Sequence, residues 1–476
     1  MERFPWVRYR KFHTFSRSGL FQEELEENKE KQTMKWLIST VLTILLTTGS
    51  ASPSSLSERD TRLMGRVTVQ DLIAYAYQNN PSIREVREAW RETVEQYRIT
   101  TGYPDPEIRF THFPEPIETR LGPQDWIASL NQKIPFPGKL TQAGKVVETE
   151  ARVAHIKLDR TVKGVMASVR RSFYELLYIR TAQKVVARNL KRLEHLRKVG
   201  ETAYTRDRAA LMDMVKAQSQ LGQIRYDGIL LEELERTEKT RLNGFLNRAP
   251  DARIGKFVEG KFQPVVFNLK DLYRLAEANQ EDLRIARALV DRADAKAELA
   301  RLENLPDFNV GVSYSSIGQP DVPVQPQDAG RDGLGFQVGM TIPLWFDKNS
   351  GRVAKAQAGI RRAKAAEEVA TTEIRTRVHD LFFRLNNAQR LILLYRDDLL
   401  PQAIKSMEIA ETWYREGQAS FSDFVETQAV YYNFQLSLAR ASADYGKVLA
   451  SLEQLVGQSI TKISGGIDVK AKGGTK

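Results

Sequence analysis

The 476-residue chain contains no cysteine. That excludes a disulfide framework, a thiolate metal site, a cysteine nucleophile and a cysteine-anchored lipid. Histidine is scarce: His13, His112, His155, His195 and His379 lie far apart, with no pair at helical ligand spacing. No phosphate loop, metal-ligand cluster or nucleophile constellation is visible, so no catalytic residue, metal or cofactor is expected. Downstream of the N-terminal region no run reaches 18 apolar residues, so no transmembrane helix is expected either. Charge of one sign is in modest excess, 71 Lys+Arg against 60 Asp+Glu, a net of +11. The basic residues alternate with Glu and Asp along helical stretches, which reads as a solvated face and argues against nucleic acid. An apolar content of 42% excludes a mostly disordered chain.

Met34-Lys35 precedes an apolar stretch from Trp36 to Leu46 and the small-residue run Thr47-Thr48-Gly49-Ser50-Ala51. A positive end, a short greasy core and a small-residue exit describe a secretory signal peptide at 34–51. Residues 1–33 read as an upstream extension, with translation expected to start at Met34.

The rest is written twice. Val69-Gln70-Asp71-Leu72 with Ala76 and Asn79 recurs as Leu269-Lys270-Asp271-Leu272 with Ala276 and Asn279. Pro104-Asp105 returns as Pro306-Asp307, and Ile134-Pro135 as Ile342-Pro343. Tyr204, Asp213 and Gln218 return as Tyr414, Asp423 and Gln428. This sets a first repeat at 67–248, an inter-repeat segment at 249–267, a second repeat at 268–457 and a flexible tail at 458–476. Each repeat should hold a helix of roughly 35 residues, two short strands around a Pro/Gly-rich loop, and a long helical hairpin.

The strands alternate. Phe308-Asn309-Val310-Gly311-Val312-Ser313-Tyr314-Ser315 and Gly333-Leu334-Gly335-Phe336-Gln337-Val338-Gly339-Met340-Thr341-Ile342 each set apolar residues against small or polar ones. In the first repeat Ile108 and Phe110 oppose Arg109 and Thr111, while Trp126, Ala128 and Leu130 oppose Ile127, Ser129 and Asn131. A half-buried strand of a soluble sheet alternates in the same way. The length is that of a tilted membrane-crossing strand, about 9–11 residues, and the chain is exported. On that reading Val310, Val312, Phe336 and Val338 face lipid. Four strands cannot close a barrel, and open edges cannot be left in hydrocarbon, so several chains must contribute.

After Gly138-Lys139 the chain runs without proline to about Val199, and after Gly351 to about Pro401, resuming to Tyr414. Val378, Leu381, Leu385, Ala388, Ile392, Tyr395 and Leu399 keep heptad spacing, as do Phe434, Leu438, Ala441, Tyr445, Val448, Leu452 and Leu455. Between these helices Gly417 suits a turn, Ser420 or Ser422 a helix cap, and Asp423 and Glu426 the first helical turn.

Together the duplication, the Ile342-Pro343-Leu344 lead into an Ala-rich helix and the paired Tyr-x8-Asp-x4-Gln tips resemble the TolC-like outer membrane efflux proteins. The resemblance runs from about Val67 to Gly457. Gln132-Lys133-Ile134-Pro135-Phe136-Pro137-Gly138-Lys139 looks most like the heavy-metal-efflux branch. It implies an α+β membrane protein: a long coiled-coil α-helical barrel plus four transmembrane β-strands per chain, forming a trimeric 12-stranded β-barrel. It further implies the outer membrane of a Gram-negative bacterium, with a periplasmic extension. The partners implied are outer-membrane lipid, two sister chains, a periplasmic adaptor (membrane fusion) protein and an inner-membrane pump of the resistance-nodulation-division type. Residues implied by position are Tyr414 and Asp213 for a periplasmic gate, and Asp423 and Glu426 for an acidic entrance ring. Asp207, Leu211, Gly417 and Phe421 fall at the tip turns, for adaptor contact. A second gate link of the family uses an arginine where this chain has Ala419 and a threonine where it has Met212. The function implied is passive efflux of cations, heavy metals or drugs, with no enzymatic activity. Alternatives are the export duct of a type I secretion system and, in a different class, a periplasmic coiled-coil scaffold without a pore.

Overall fold

The computed structural model describes residues 62–204, 210–258, 264–416 and 418–461. The upstream stretch 1–33, the signal peptide 34–51, residues 462–476 of the tail, and Asp207 and Gly417 at the tips lie outside the described residues. So do the side chains of Leu211, Met212, Asp213 and Phe421. Among the described residues no helix is long and apolar enough to cross a membrane.

Strand β1 (Arg66–Val67) leads into α1 (Val69–Asn79) and α2 (Pro81–Thr101). The second repeat opens in the same way with α5 (Leu269–Asn279) and α6 (Glu281–Leu302). The single helix of roughly 35 residues expected in each repeat is therefore two helices. Pro81 cannot donate a backbone hydrogen bond and pushes Asn80 into an extended conformation, ψ 124°. Asn80 then caps α2, its Oδ1 accepting from Ser82 N–H at 2.9 Å. The second repeat has no proline here, yet Gln280 is also extended and its Oε1 accepts from Leu283 N–H at 2.9 Å. A side-chain cap alone makes the same break.

Strands β2 (Glu107–Thr119), β3 (Gly122–Ile134), β5 (Phe308–Ile317) and β6 (Gly333–Met340) form one antiparallel sheet in that order. The register sets Ile108 opposite Leu130, Leu130 opposite Val312, and Val312 opposite Phe336. Directly paired residues share a face, so the apolar sides of all four strands merge into one surface. The opposite face carries Arg109, Ser129, Asn131, Ser313, Gly335 and Gln337.

From the sheet the chain enters α3 (Lys139–Tyr204), whose 66 residues extend roughly 100 Å at 1.5 Å each. It returns through α4 (Ala210–Leu246). Strand β4 (Lys256–Phe257), in the inter-repeat segment, pairs in parallel with β1. Val265 bridges to Thr461, beyond the last helix. The second hairpin comprises α7 (Phe346–Leu393), a π-helical turn (Leu394–Leu399), α8 (Leu400–Arg415) and α9 (Phe421–Val456). Helix α7 begins before Gly351, and the path continues through Pro401 where a break was expected. The wider π turn closes with Leu400 N–H on the Tyr395 carbonyl and absorbs the clash and the missing donor of the proline. Gly457 ends α9 at φ +77°, the left-handed cap conformation that glycine adopts without steric cost.

The heptad seam is the core of this hairpin. Val378, Leu385, Ala388 and Ile392 pack with Ala441, Tyr445, Leu452 and Leu455, all buried. The Tyr395 and Phe434 rings meet at 5.7 Å. Across the repeats, Glu175 of α3 binds Arg440 (2.9 Å) and Lys447 (2.5 Å) of α9, and Arg170 binds Glu453. Gly446 permits a close approach, since a Cβ there would lie 2.5 Å from the Tyr174 ring.

Asp307 joins sheet to helices. Its Oδ1 accepts from Phe136 N–H at 3.0 Å and from Lys139 Nζ at 2.7 Å, and Lys133 Nζ lies 3.2 Å from Oδ2. Thr341 N–H donates to its carbonyl at 2.8 Å, so the ends of β3, β5 and β6 and the start of α3 meet here. Burial works to raise the Asp307 pKa, but these donors outweigh it and hold the carboxyl below its ordinary range. Its contribution is therefore complete at neutral pH and is lost only as pH falls below about 4. Asp307→Asn should destabilise the fold by about 1–3 kcal/mol at pH 7, because Lys139 keeps its charge and loses its counter-charge. A thermal midpoint in detergent equal to that of the parent protein would refute this.

Candidate functional site

Two regions bear on function, the apolar face of the sheet and the far end of the helical hairpins. On the sheet, Val310 pairs with Val338 and Val312 with Phe336, so the four residues expected to face lipid lie side by side. Phe336 is 81% exposed and Val338 84%, while Val312 is half-buried. Ile108, Phe110, Leu334 and Met340 extend this exposed apolar surface across the sheet. Facing water, a contiguous apolar face of this kind would drive aggregation. Trp126 stacks between Phe110 and Tyr314, with centroids 5.6 and 5.4 Å away. Beyond β6, Ile342, Leu344, Trp345 and Phe346 remain exposed.

At the other end, α4 from the first repeat meets α8 and α9 from the second. Phe424 is fully buried with Ala217, Met407 and Ala410, and half-buried Tyr414 packs on this cluster. The proposed gate tyrosine thus sits in the inter-repeat core of the tip. The backbone of its expected partner Asp213 lies on α4, four residues before Ala217. Further up, Tyr432 donates to Asp227 Oδ2 at 2.9 Å, again joining α9 to α4. Burial, and then this bond, push the Tyr432 phenol far above its ordinary pKa, so it remains a donor at any physiological pH. Lys216 Nζ donates to Ser422 Oγ at 2.9 Å. Neither link was singled out from the sequence. Tyr432 is recognisable only as one more aromatic in a helix, because its partner lies 205 residues away.

Asp423 is engaged locally. Ser420 N–H and Oγ–H donate to its Oδ2 at 3.1 and 2.8 Å, and Asp423 N–H donates to Ser420 Oγ at 3.2 Å. This reciprocal capping box starts α9. The carboxylate is nonetheless exposed, and the Ser420 hydroxyl, the Ser420 N–H and nearby Lys216 hold its pKa below the ordinary value. It is therefore a fixed negative charge at neutral pH. Glu426, one turn on, is also exposed. Ala419 and Ser420 form the last part of the turn before α9.

Residues 272–458 match the family model described as outer membrane efflux protein. No curated protein sequence matches the chain. Among solved structures the chain is similar to the transmembrane channel protein CusC, with 14% identity and a TM-score of 0.69 over 83% of this chain and 94% of that one. It is similar to the outer membrane protein VceC of Vibrio cholerae, with 16% identity and a TM-score of 0.67 over 82% and 96%. It also resembles the open state of the MtrE outer membrane channel of Neisseria gonorrhoeae, with 15% identity and a TM-score of 0.68 over 83% and 89%. Residues 272–458 thus match the model of the outer membrane efflux protein family, and the chain as a whole has the fold of the TolC-like outer-membrane channels.

Proposed function

We propose that three copies of this chain form the outer-membrane exit duct of a tripartite efflux system. The observation that carries this is the sheet: four strands, an exposed apolar face, and two edges, β2 and β6, with no neighbour among the described residues. In hydrocarbon each unpaired backbone group costs several kcal/mol, so both edges must be completed by strands of sister chains. The helices support the same assembly. Tyr226, Ile229, Leu230 and Leu234 on α4, and Phe383, Ile409 and Trp413 on α7 and α8, are exposed apolar side chains suited to a neighbouring copy. The sheet then spans the outer membrane of a Gram-negative cell, and the helices extend into the periplasm.

Conduction is passive. Energy comes from an inner-membrane pump, linked through a periplasmic adaptor that engages the tip turns around Asp207, Leu211, Gly417 and Phe421. The cargo, heavy-metal cations or organic drugs, is whatever that pump delivers. A scaffold without a pore would leave the apolar sheet face unexplained. Tyr414 and Asp213 hold the tip shut, and the adaptor opens it by binding the open form more tightly. Asp423 and Glu426, present in three copies, concentrate negative charge at the mouth and attract cations.

The mature chain should require detergent for solubility and run as a trimer; a detergent-free monomer would overturn the assembly. Asp213→Ala should raise single-channel conductance in planar bilayers, and unchanged conductance would remove Asp213 from the gate. Asp423→Asn keeps an acceptor for the Ser420 donors while removing the charge, so block by multivalent cations should weaken. With the parent protein, the Asp423 share of that block should persist at about pH 5, since its carboxyl stays ionised below the ordinary range of about 3.9. Identical block in both proteins would end the role assigned to Asp423.

A further inference from the structure

Gln428 lies on the buried face of α9, one turn from Phe424 and one turn from Tyr432. Phe424 packs on Ala217 of α4 and on Met407 and Ala410 of α8, whereas Tyr432 packs with Leu221 and Ile224 of α4. Gln428 therefore occupies the seam where the second hairpin meets the first. The facing stretch of α4 presents Ala217, Leu221 and Ile224, which offer no side-chain hydrogen bond. The residue is 2% exposed, and its Nε2 and Oε1 are buried without a hydrogen-bond partner among the described residues.

This orphan amide stands out from its surroundings. Two turns further, Gln435 donates to Tyr431 Oη at 2.7 Å and accepts from Asn189 Nδ2 at 3.3 Å. Gln218, the repeat-mate of Gln428, is exposed on α4 and keeps its amide in water. The duplicated motif thus leaves the same side chain exposed in one hairpin and buried in the other.

We propose that Gln428 is a gating residue: its unmet hydrogen bonds weaken the closed seam between the hairpins and bias it toward parting. A buried amide loses its water partners and here gains none among the described residues, whereas parting the seam returns them. The imbalance favours the parted form by roughly tenfold per chain, and a trimer contains three such seams. The adaptor then has less to overcome in opening a tip that the other contacts hold shut. This rests on the channel reading above.

The test compares Gln428→Met, which keeps the side-chain length without the amide, with Gln218→Met as the exposed control. Spontaneous openings of full-length channels in planar bilayers and hydrogen exchange of the 424–432 amides are the two readouts. Gln428→Met should reduce opening frequency by about tenfold or more and slow exchange to a similar degree, while Gln218→Met changes neither. More frequent opening or faster exchange in Gln428→Met would overturn the proposal, because the amide would then be holding the seam closed. A higher thermal midpoint with unaltered opening and exchange would also overturn it, leaving only a packing role. Failure of the parent protein to conduct at all would instead refute the duct, and the exchange comparison would still decide whether the amide loosens the seam.

Discussion

Backbone hydrogen bonding at the edges of the sheet is the constraint on which the molecule depends. Strands β2 and β6 each have one side paired and one side open, and the face they share is apolar from Ile108 through Leu130 and Val312 to Phe336. Water would satisfy the edges and reject the face; lipid would accept the face and reject the edges. In the proposed duct, closure of the sheet by further copies meets both demands. The four-stranded unit would then be a fraction of a wall whose symmetry the long helices share.

Joining that wall to the helices is an electrostatic task. Asp307 receives Lys139, Lys133 and the Phe136 N–H at the point where strands end and α3 begins. The pair formed by Lys139 and Asp307 is largely shielded from solvent, with 13% and 17% of the side chains exposed, which makes it directional as well as attractive. Its repeat-mate Asp105 is exposed, so the duplication is not symmetric at the junction. The same asymmetry recurs lower down. A π turn carries the second hairpin past Pro401, whereas α3 runs 66 residues without interruption. Two copies of one plan have diverged where each must fit the other.

At the tip, the inter-repeat core is made of a few groups with unequal satisfaction. Phe424 and Tyr432 are well housed, Tyr432 and Asp227 are paired, and Gln428 between them is not. Fully satisfied polar networks rigidify a core, and partly satisfied ones leave it poised. The proposed duct, which stays shut and opens on contact with a partner, has use for such a balance.

Much of this was readable from the chain itself. Alternation over Phe308–Ser315 and Gly333–Met340 identified the strands, heptads at Val378–Leu399 and Phe434–Leu455 identified the paired helices, and recurring landmarks identified the duplication. These signals are local or periodic, and a periodicity determines which face of an element is apolar wherever that element packs. Three things were not readable. The break at Gln280 depends on a side-chain cap that competes with a good helical pattern, unlike the break at Asn80, which Pro81 marks. The junction at Asp307 and the pair of Tyr432 with Asp227 join residues that are 168 and 205 positions apart. That Ser420, and not Ser422, caps α9 with Asp423 completing the capping box depends on local backbone geometry. Sequence by itself determined the elements and their faces, because those follow from spacing along one chain. Tertiary structure decided which polar groups are paired and which are stranded, because desolvation and hydrogen-bond geometry exist only once distant segments meet.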